Sequence, residues 1–500
     1  VTALPTTAFI DPTGDNHDEI KALLSQVTTL LLEEMSQAMA RSPLPDPLPL
    51  SQLQQQAQIP HHSVPFAQLL EQVRSHIRHS MNAAHPGYIG HMDSIPTTLS
   101  IVGDLLVAAL NNNMLSVEMS PVFSRLEPLV MQQLAAQFGW GKGAGGVMVS
   151  GGSLANLQAL TVARNLHFNA LEKGIVGLAR QPVFFVSEVA HTSMQKAAMM
   201  MGLGSQAAIA VRTNANSQMD LDDLTAKLAQ AKTANQQPFA LVATAGTTVT
   251  GNIDPIAEMS AIAHAHRLWF HVDAAYGGAL VFSPAHRHLL SGIHQADSIT
   301  FNPQKWLYVT KTCATVLFKN FDTLKHHFRI VAPYMSDDSQ WANLGELTVQ
   351  GTRHPDILKL WLSLQHIGIA GYADIIRHNY ALTDQFVSAV LARPFLQLAS
   401  KPQMNLVCFR LAPPQLDDAQ LDDAQWDDLN RQLQQFLLLA TPLAKDKPLS
   451  EKQPIPVFLS LPIYKGQRWL KAVLLNPYTS AEIITQLFNQ IDSFVANSFH

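Results

Sequence analysis

Two spacings of apolar residues alternate along the middle of this chain. Between about residues 120 and 320, short, largely apolar runs lie at 146–149, 182–186, 239–243, 267–272 and 314–318. Longer stretches at helical spacing separate them, among them 154–171 and 255–266. Strands that do not alternate polar with apolar residues are buried on both faces, and the intervening helices supply the cover. The pattern predicts an α/β fold on a parallel-rich sheet, with ligands bound beyond the carboxyl ends of the strands. Asp254 and Pro255 read as the N-cap and first residue of the second of those helices.

Outside this core the patterning changes. Asp15 and Asn16 are a plausible cap for a helix with Ile20, Leu23, Leu24, Val27, Leu30, Leu31 and Met35 on one face, and the proline-rich run 42–49 cannot continue it. Such a helix cannot bury its face alone; a second subunit is the preferred partner, ahead of the body of the protein. Beyond about residue 385, the repeat LDDAQLDDAQWDD at 416–428 reads as a solvated helix face or an insertion. Thr479 to Glu482 forms a capping-box pattern ahead of Ile483, Ile484, Leu487, Phe488 and Ile491 at helical spacing.

Composition narrows the class. Of 500 residues, 47% are hydrophobic and only 14% charged, with a net charge of −5, so a large core is available and little repulsion opposes self-association. Disorder, collagen-like repeats and a disulfide scaffold are excluded, and no basic face suits nucleic acid. Cys313 and Cys408 lie in apolar stretches and read as buried reduced thiols. The longest apolar stretch, 101–110, is interrupted by Gly103 and Asp104 and is too short to span a bilayer. A soluble, cytoplasmic protein is expected. The start at Val1 suits a trimmed chain or one part of a longer protein.

One motif is a decoy. Residues 141–146 match G-x-G-x-x-G, but that fingerprint needs a strand before it and a helix after it, and here the strand follows. Ser150-Gly151-Gly152-Ser153 is better placed, between the first strand and a helix. Its glycines let a ligand approach the backbone, Ser153 can cap the helix, and the helix end favours a phosphate; a plain tight turn is the bland alternative. Asp273 ends an apolar strand and needs a cationic partner to stay charged there, such as a protonated pyridine nitrogen, unless it only holds loop amides. Ala275 would leave room for a flat ring. Lys305, between Pro303 and Trp306, must lose its charge, find a partner or snorkel to the surface; forming a Schiff base achieves the first.

Taken in order, a phosphate turn, a strand-end Asp and a Lys are the parts of a pyridoxal phosphate site. The chain closely resembles the group II pyridoxal phosphate-dependent amino acid decarboxylases of the glutamate, aromatic amino acid and 2,4-diaminobutyrate kind. The resemblance runs from about residue 85 to 476 and rests on SEVAHTSMQKA, ATAGTT, HVDAAYGG, NPQKW and GTRHPDILKLW. It implies fold type I, aspartate aminotransferase-like, with a mixed seven-stranded sheet. The expected division is an N-terminal helical arm for dimerisation at 1–84, a cofactor-binding large domain at 85–384 and a small α/β domain at 385–500.

The resemblance also implies roles. Lys305 would form the Schiff base with the cofactor, Asp273 would pair with its ring nitrogen, and His191 would stack on the ring. Ala275 would pack beneath it, and Thr248 would lie near its phenolic oxygen. Gly152, Ser153 and Asn302 match phosphate-binding positions, and Arg353 follows the family's mobile loop among the cofactor-binding set. His85, Tyr88 and Ser94 belong to the substrate side. Two departures stand out. Gln304 replaces the histidine that usually precedes the lysine, though an amide can still donate to phosphate or backbone. Residues 335–350 lack the loop tyrosine that protonates the product carbon, so the donor candidates are Tyr334 and then His191.

The expected activity is α-decarboxylation of an L-amino acid, first choice L-2,4-diaminobutyrate to 1,3-diaminopropane, with glutamate, aspartate or an aromatic amino acid as alternatives. An aminotransferase or an inactive scaffold on the same fold is the competing reading. The resemblance further implies a homodimer with active sites at the interface, and some relatives are fused behind an aminotransferase. No metal is expected: His264 with His266 and His286 with His288 lack a convincing third ligand, and i,i+2 spacing on a helix points side chains apart.

Overall fold

The computed structural model of the chain describes residues 4–331, 341–412, 422–440 and 454–498. Packing divides the chain into two compact units, Met92–Gln420 with Pro462–Leu475, and Val1–His91 with Leu421–Leu461 and Asn476–His500.

The first unit is built on seven strands: β1 (Gly145–Val149), β2 (Gln181–Ser187), β3 (Ala208–Val211), β4 (Gln236–Thr244), β5 (Trp269–Asp273), β6 (Ser298–Phe301) and β7 (Ala314–Phe318). Their order across the sheet is β1-β7-β6-β5-β4-β2-β3. Strands from β6 to β3 are mutually parallel, while β7 runs antiparallel to both β6 and β1. The expected mixed seven-stranded α/β fold is therefore the one observed. Every residue of β1 and β7 is buried, which is why these strands read as apolar runs, whereas the equally buried β6 carries Ser298 and Thr300 and does not read as one.

The glycines of the decoy motif serve the sheet. A Cβ on Gly146 would meet the Val316 carbonyl oxygen at 2.4 Å, and one on Gly145 would meet the Phe321 ring at 3.0 Å. They let β1 approach its neighbours closely. The helix Ile256–Ala265 starts differently from expectation, with Pro255 at the N-cap. Asp254 turns away from that role and accepts from the backbone N–H groups of Met219 and Thr244 at 2.7 and 2.8 Å. Burial pushes its carboxyl pKa up to about 6.

The same unit holds an antiparallel sheet of β8 (Leu396–Leu398), β9 (Leu406–Leu411) and β12 (Leu470–Val473), and a two-stranded hairpin of β10 (Ile463–Tyr464) and β11 (Gln467–Arg468). Lys471 of β12 lies opposite Cys408 of β9. The domain boundary read at 384 and 385 falls inside the helix Ile357–Leu391, whose one break is at Gly368 (φ +68°). Trp306 is fully buried, stacks on Tyr276 with ring centroids 4.9 Å apart, and donates its indole N–H to Asn379 Oδ1 at 2.8 Å.

The second unit includes the helices His17–Ser36, Phe66–Arg78, Asp423–Leu438 and Ala481–Ser498. In the first of these the most deeply buried side chains are Leu30 and Glu34. Arg74 and Arg78 both donate to Glu34 at 3.1 Å and, with Arg41, hold its pKa down against desolvation. Leu24, Val27, Leu32 and Met35 stay exposed. Asn16 stands at the N-cap but makes no side-chain capping bond; its side chain accepts from Asp11 N–H and donates to the Thr6 and Phe9 carbonyls. At the C-terminal helix the capping hydroxyl is Ser480, while Thr479 donates to the Pro86 carbonyl. The acidic repeat yields a capping box between Asp422 and Gln425; its earlier part, 416–421, lies outside the described residues. Among the described residues no helix is long and apolar enough to cross a membrane.

Candidate active site

A cavity of about 360 Å³ opens in the sheet-bearing unit, lined by residues that follow β1, β2, β4, β5 and β6. These are carboxyl ends of parallel strands, plus the turn after β1, where α/β sheets place ligands. Eight of the residues singled out in the sequence line it together: Gly152, Ser153, His191, Thr248, Asp273, Ala275, Asn302 and Lys305.

The turn after β1 opens the helix Gly152–Phe168, which has Gly151 at its N-cap and no side-chain cap bond. Ser153 is thus not the cap; it lies in the first turn and is exposed. Uncapped amides at a helix start, beside the positive end of the helix dipole, form a cradle for an anion. Close approach explains the glycine: a Cβ on Gly152 would meet Asn302 Nδ2 at 2.9 Å. Asn302 Oδ1 and the Thr244 hydroxyl oxygen are buried in the cavity wall without hydrogen-bond partners. A phosphate monoester fits the uncapped helix amides together with the Asn302 Nδ2 donor beside Gly152.

Asp273 closes β5. Its Oδ1 accepts from the Ala275 N–H at 3.1 Å and its Oδ2 from Asn156 Nδ2 at 2.9 Å. Ala275 is buried, and its small side chain keeps the wall flat for a ring. Burial draws the Lys305 ammonium pKa down, while Asp273 and Asp93 act in the opposite direction. A lysine so placed exchanges protons more readily than one in water, which suits a nucleophilic amine. His191 stands at the cavity rim and accepts the Ser193 N–H on Nδ1 at 3.2 Å. Partial desolvation lowers its pKa, Asp273 opposes that, and Lys305 and Lys196 reinforce it. Gln304 exchanges two bonds with Cys313, its backbone N–H donating to the Cys313 carbonyl at 3.2 Å and its Oε1 accepting from the Cys313 N–H at 2.6 Å.

Other sequence candidates are placed elsewhere. Arg353 forks onto Glu127 through two bonds of 2.6 and 2.8 Å, and Glu127 also accepts from the Met148 N–H of β1 at 2.9 Å. Its forked donors being spent on a carboxylate, Arg353 anchors β1 and lines a separate cavity of about 340 Å³. Ser94 has a buried hydroxyl without a hydrogen-bond partner. His85 and Tyr88 belong to the other unit. There His85 accepts the Gly87 N–H, burial lowering its pKa to about 4, and Tyr88 stacks on Phe458. Tyr334 lies outside the described residues.

Sequence reasoning missed Lys471. It is 5% exposed, donates to the carbonyl of the cavity-lining Thr248 at 3.3 Å, and contacts no carboxylate among the described residues. Burial lowers its pKa to about 8; Cys408 and Asp93 oppose this and Lys305 adds to it. A lone lysine in the apolar run LKAVLL was the available signal, the same one that drew notice to Lys305. Asn156 and His271, behind Asp273, were missed as well.

Known proteins match this arrangement. The pyridoxal-dependent decarboxylase conserved domain matches residues 47–412. The chain is 31% identical over 432 residues to the acidic amino acid decarboxylase GADL1 of Mus musculus, covering 85% of this chain and 76% of that one. It is 33% identical over 355 residues to the cysteine sulfinic acid decarboxylase of Mus musculus, covering 70% and 72%. Among solved structures, it resembles the glutamate decarboxylase domain of the diaminobutyrate-pyruvate transaminase and L-2,4-diaminobutyrate decarboxylase from Vibrio parahaemolyticus. The TM-score is 0.80 at 26% identity, with 96% of each chain covered. With an anion cradle, a strand-end carboxylate and a buried lysine around one cavity, this chain belongs to the pyridoxal-dependent decarboxylases, carboxy-lyases that use pyridoxal phosphate to release CO₂ from amino acids.

Proposed function

We propose that this enzyme decarboxylates an L-amino acid whose side chain ends in an anion, of the aspartate, glutamate or cysteine sulfinate type. The observation that carries the reading is Lys471, a buried cation beside the cavity with no carboxylate contact among the described residues. A buried ammonium without a counter-ion is expensive to keep, and a substrate carboxylate or sulfinate would satisfy it. The same charge opposes a substrate ammonium. The names of the GADL1 and cysteine sulfinic acid decarboxylase relatives point the same way.

Bound in the cavity, pyridoxal phosphate supplies an electron sink for the bond between Cα and the departing carboxylate. The chain's own groups do the rest. The amides of the Gly152 turn, with Ser153 and Asn302, would hold the phosphate, and Lys305 would tether the cofactor and yield to substrate amine. Asp273 would keep a proton on the ring nitrogen, Ala275 and His191 would pack on the ring, and Thr248 would lie near its phenolic oxygen. For the proton returned to Cα, Tyr334 is the first candidate and His191 the second. A closed, oriented site contributes chiefly by fixing the scissile bond.

A second reading, L-2,4-diaminobutyrate, is favoured by the likeness to the Vibrio enzyme. CO₂ release measured across aspartate, glutamate, cysteine sulfinate, diaminobutyrate, tyrosine and ornithine separates the two. Preference for diaminobutyrate would overturn the acidic assignment. The enzyme is also read as a homodimer. On the helix Thr98–Leu110, Ile101, Val102, Leu105, Leu106 and Leu110 are all at least 39% exposed, an apolar strip that a second copy would cover.

A further inference from the structure

Behind Asp273 runs a chain of buried polar side chains that the reaction does not itself require. Trp269 Nε1 donates to Ser298 Oγ at 2.8 Å, and Ser298 Oγ lies 2.8 Å from His271 Nδ1. His271 Nε2 lies 3.0 Å from Asn156 Oδ1, and Asn156 Nδ2 donates to Asp273 Oδ2 at 2.9 Å and to Ser193 Oγ at 3.0 Å. Ser298, His271 and Asn156 are each no more than 1% exposed.

The carboxylate end fixes the direction of every bond along the chain. An indole N–H donates and cannot accept; a carboxylate accepts and cannot donate. Starting from Asp273, Asn156 must turn its NH₂ toward the carboxylate, which leaves its oxygen facing His271. His271 must then carry its proton on Nε2, so Nδ1 accepts and the Ser298 hydroxyl donates to it. That leaves the Ser298 oxygen to accept from Trp269, as the indole demands. The indole end is compatible with this order, since the Ser298 oxygen accepts from Trp269 while its proton goes to His271. Burial also lowers the His271 pKa to about 4, so the ring carries a single proton, and with that proton on Nε2 the ring serves both the Asn156 and the Ser298 side chains. The hub at Asn156 reaches His191 too, because Ser193 accepts from Asn156 and donates its N–H to His191 Nδ1.

We propose that Trp269, Ser298, His271 and Asn156 form a one-way hydrogen-bond relay that holds the Asp273 carboxylate oriented as the acceptor for the cofactor's ring nitrogen. All four are positioning residues. Breaking the relay lets His271 change tautomer and Asn156 flip, and a flipped Asn156 sets its oxygen against Asp273. The inference rests on the role given to Asp273, which is why Asp273→Asn is measured alongside.

The test uses apoenzyme titrated with pyridoxal phosphate by absorbance, the absorption spectrum of the bound cofactor, and the melting temperature of the apoenzyme. Ser298→Ala removes the central hydroxyl, and Trp269→Phe keeps a ring at a half-buried site while removing the donor. Expected are about tenfold weaker cofactor binding for Ser298→Ala and about threefold for Trp269→Phe. Each should alter the bound-cofactor spectrum, with apoenzyme melting near wild type. Wild-type affinity and spectrum in a folded Trp269→Phe protein would overturn the relay. So would losses that appear only together with a collapsed melting temperature in both variants. If Asp273→Asn binds cofactor as wild type does, the reading of Asp273 fails and takes the relay with it.

Discussion

Replacing Lys471 with methionine keeps most of the side-chain volume and removes the charge. The ordinary lysine value of 10.5 falls to about 8 in the fold, a difference of about 3 kcal/mol against the charged form. Because the folded value is the lower one, this destabilisation is fully present below about pH 8. It fades as pH rises toward 10.5, where the amine is neutral both folded and unfolded. Losing the bond to the Thr248 carbonyl returns about 1 kcal/mol. Lys471→Met should therefore unfold about 2 kcal/mol later than wild type in urea at pH 7, with the gain shrinking at pH 10. In the same protein, kcat/KM for the acidic substrate should fall about a hundredfold, the usual loss when one partner of a desolvated charge pair is removed. Stability and activity are thus set against each other at a single residue. A methionine variant that is less stable at pH 7, or that decarboxylates the acidic substrate at the wild-type rate, refutes the reasoning.

Other outcomes follow from the same geometry. Since Lys471 is charged below about pH 8 and neutral above, kcat/KM for an acidic substrate should decline as pH rises through that value, and Lys471→Arg should abolish the decline. Lys305→Ala should lose the visible absorbance of bound cofactor together with turnover; retention of both contradicts its role. Tyr334→Phe should slow amine formation about a hundredfold while cofactor affinity holds, and an unchanged rate transfers the proton to His191. Light scattering should give twice the 54.8 kDa chain mass for wild type and a single chain for Leu105→Glu; a monomeric wild type ends the dimer reading.

Much of the large unit was legible because buried strands have no choice of residue. β7 was readable at its full length, and β1 to within one residue, since every position in both is buried; all are apolar or glycine but Thr315, whose hydroxyl is satisfied by the Phe301 carbonyl. Asp273 and Lys305 stood out for the converse reason, as charges where such strands end. Caps were harder to read. Asp254, Asn16 and Thr479 each have a side chain suited to a helix start, yet each bonds elsewhere, because a nearby group competes for the same oxygen or amide. Arg353 lay in a strong motif, but only the fold brings Glu127, 226 residues away, onto its guanidinium. Lys471 was hidden for a similar reason. Nothing local reveals that β12 brings it beside Thr248, 223 residues distant in sequence.

The topology also sets a timetable for making the enzyme. The turn that cradles the phosphate hangs from β1, and β1 pairs with β7 alone, residue 145 lying opposite 318. A ribosome that has produced the glycine turn must add well over a hundred residues before that strand has a neighbour to bond. Lys305 emerges in the same interval, just ahead of β7. Contacts this distant close slowly, and their unpaired edges are exposed in the meantime. A growing chain therefore cannot capture its cofactor piecemeal, and Lys471 joins the site only after a further stretch of chain beyond β7, from residue 318 to residue 471, has also been made.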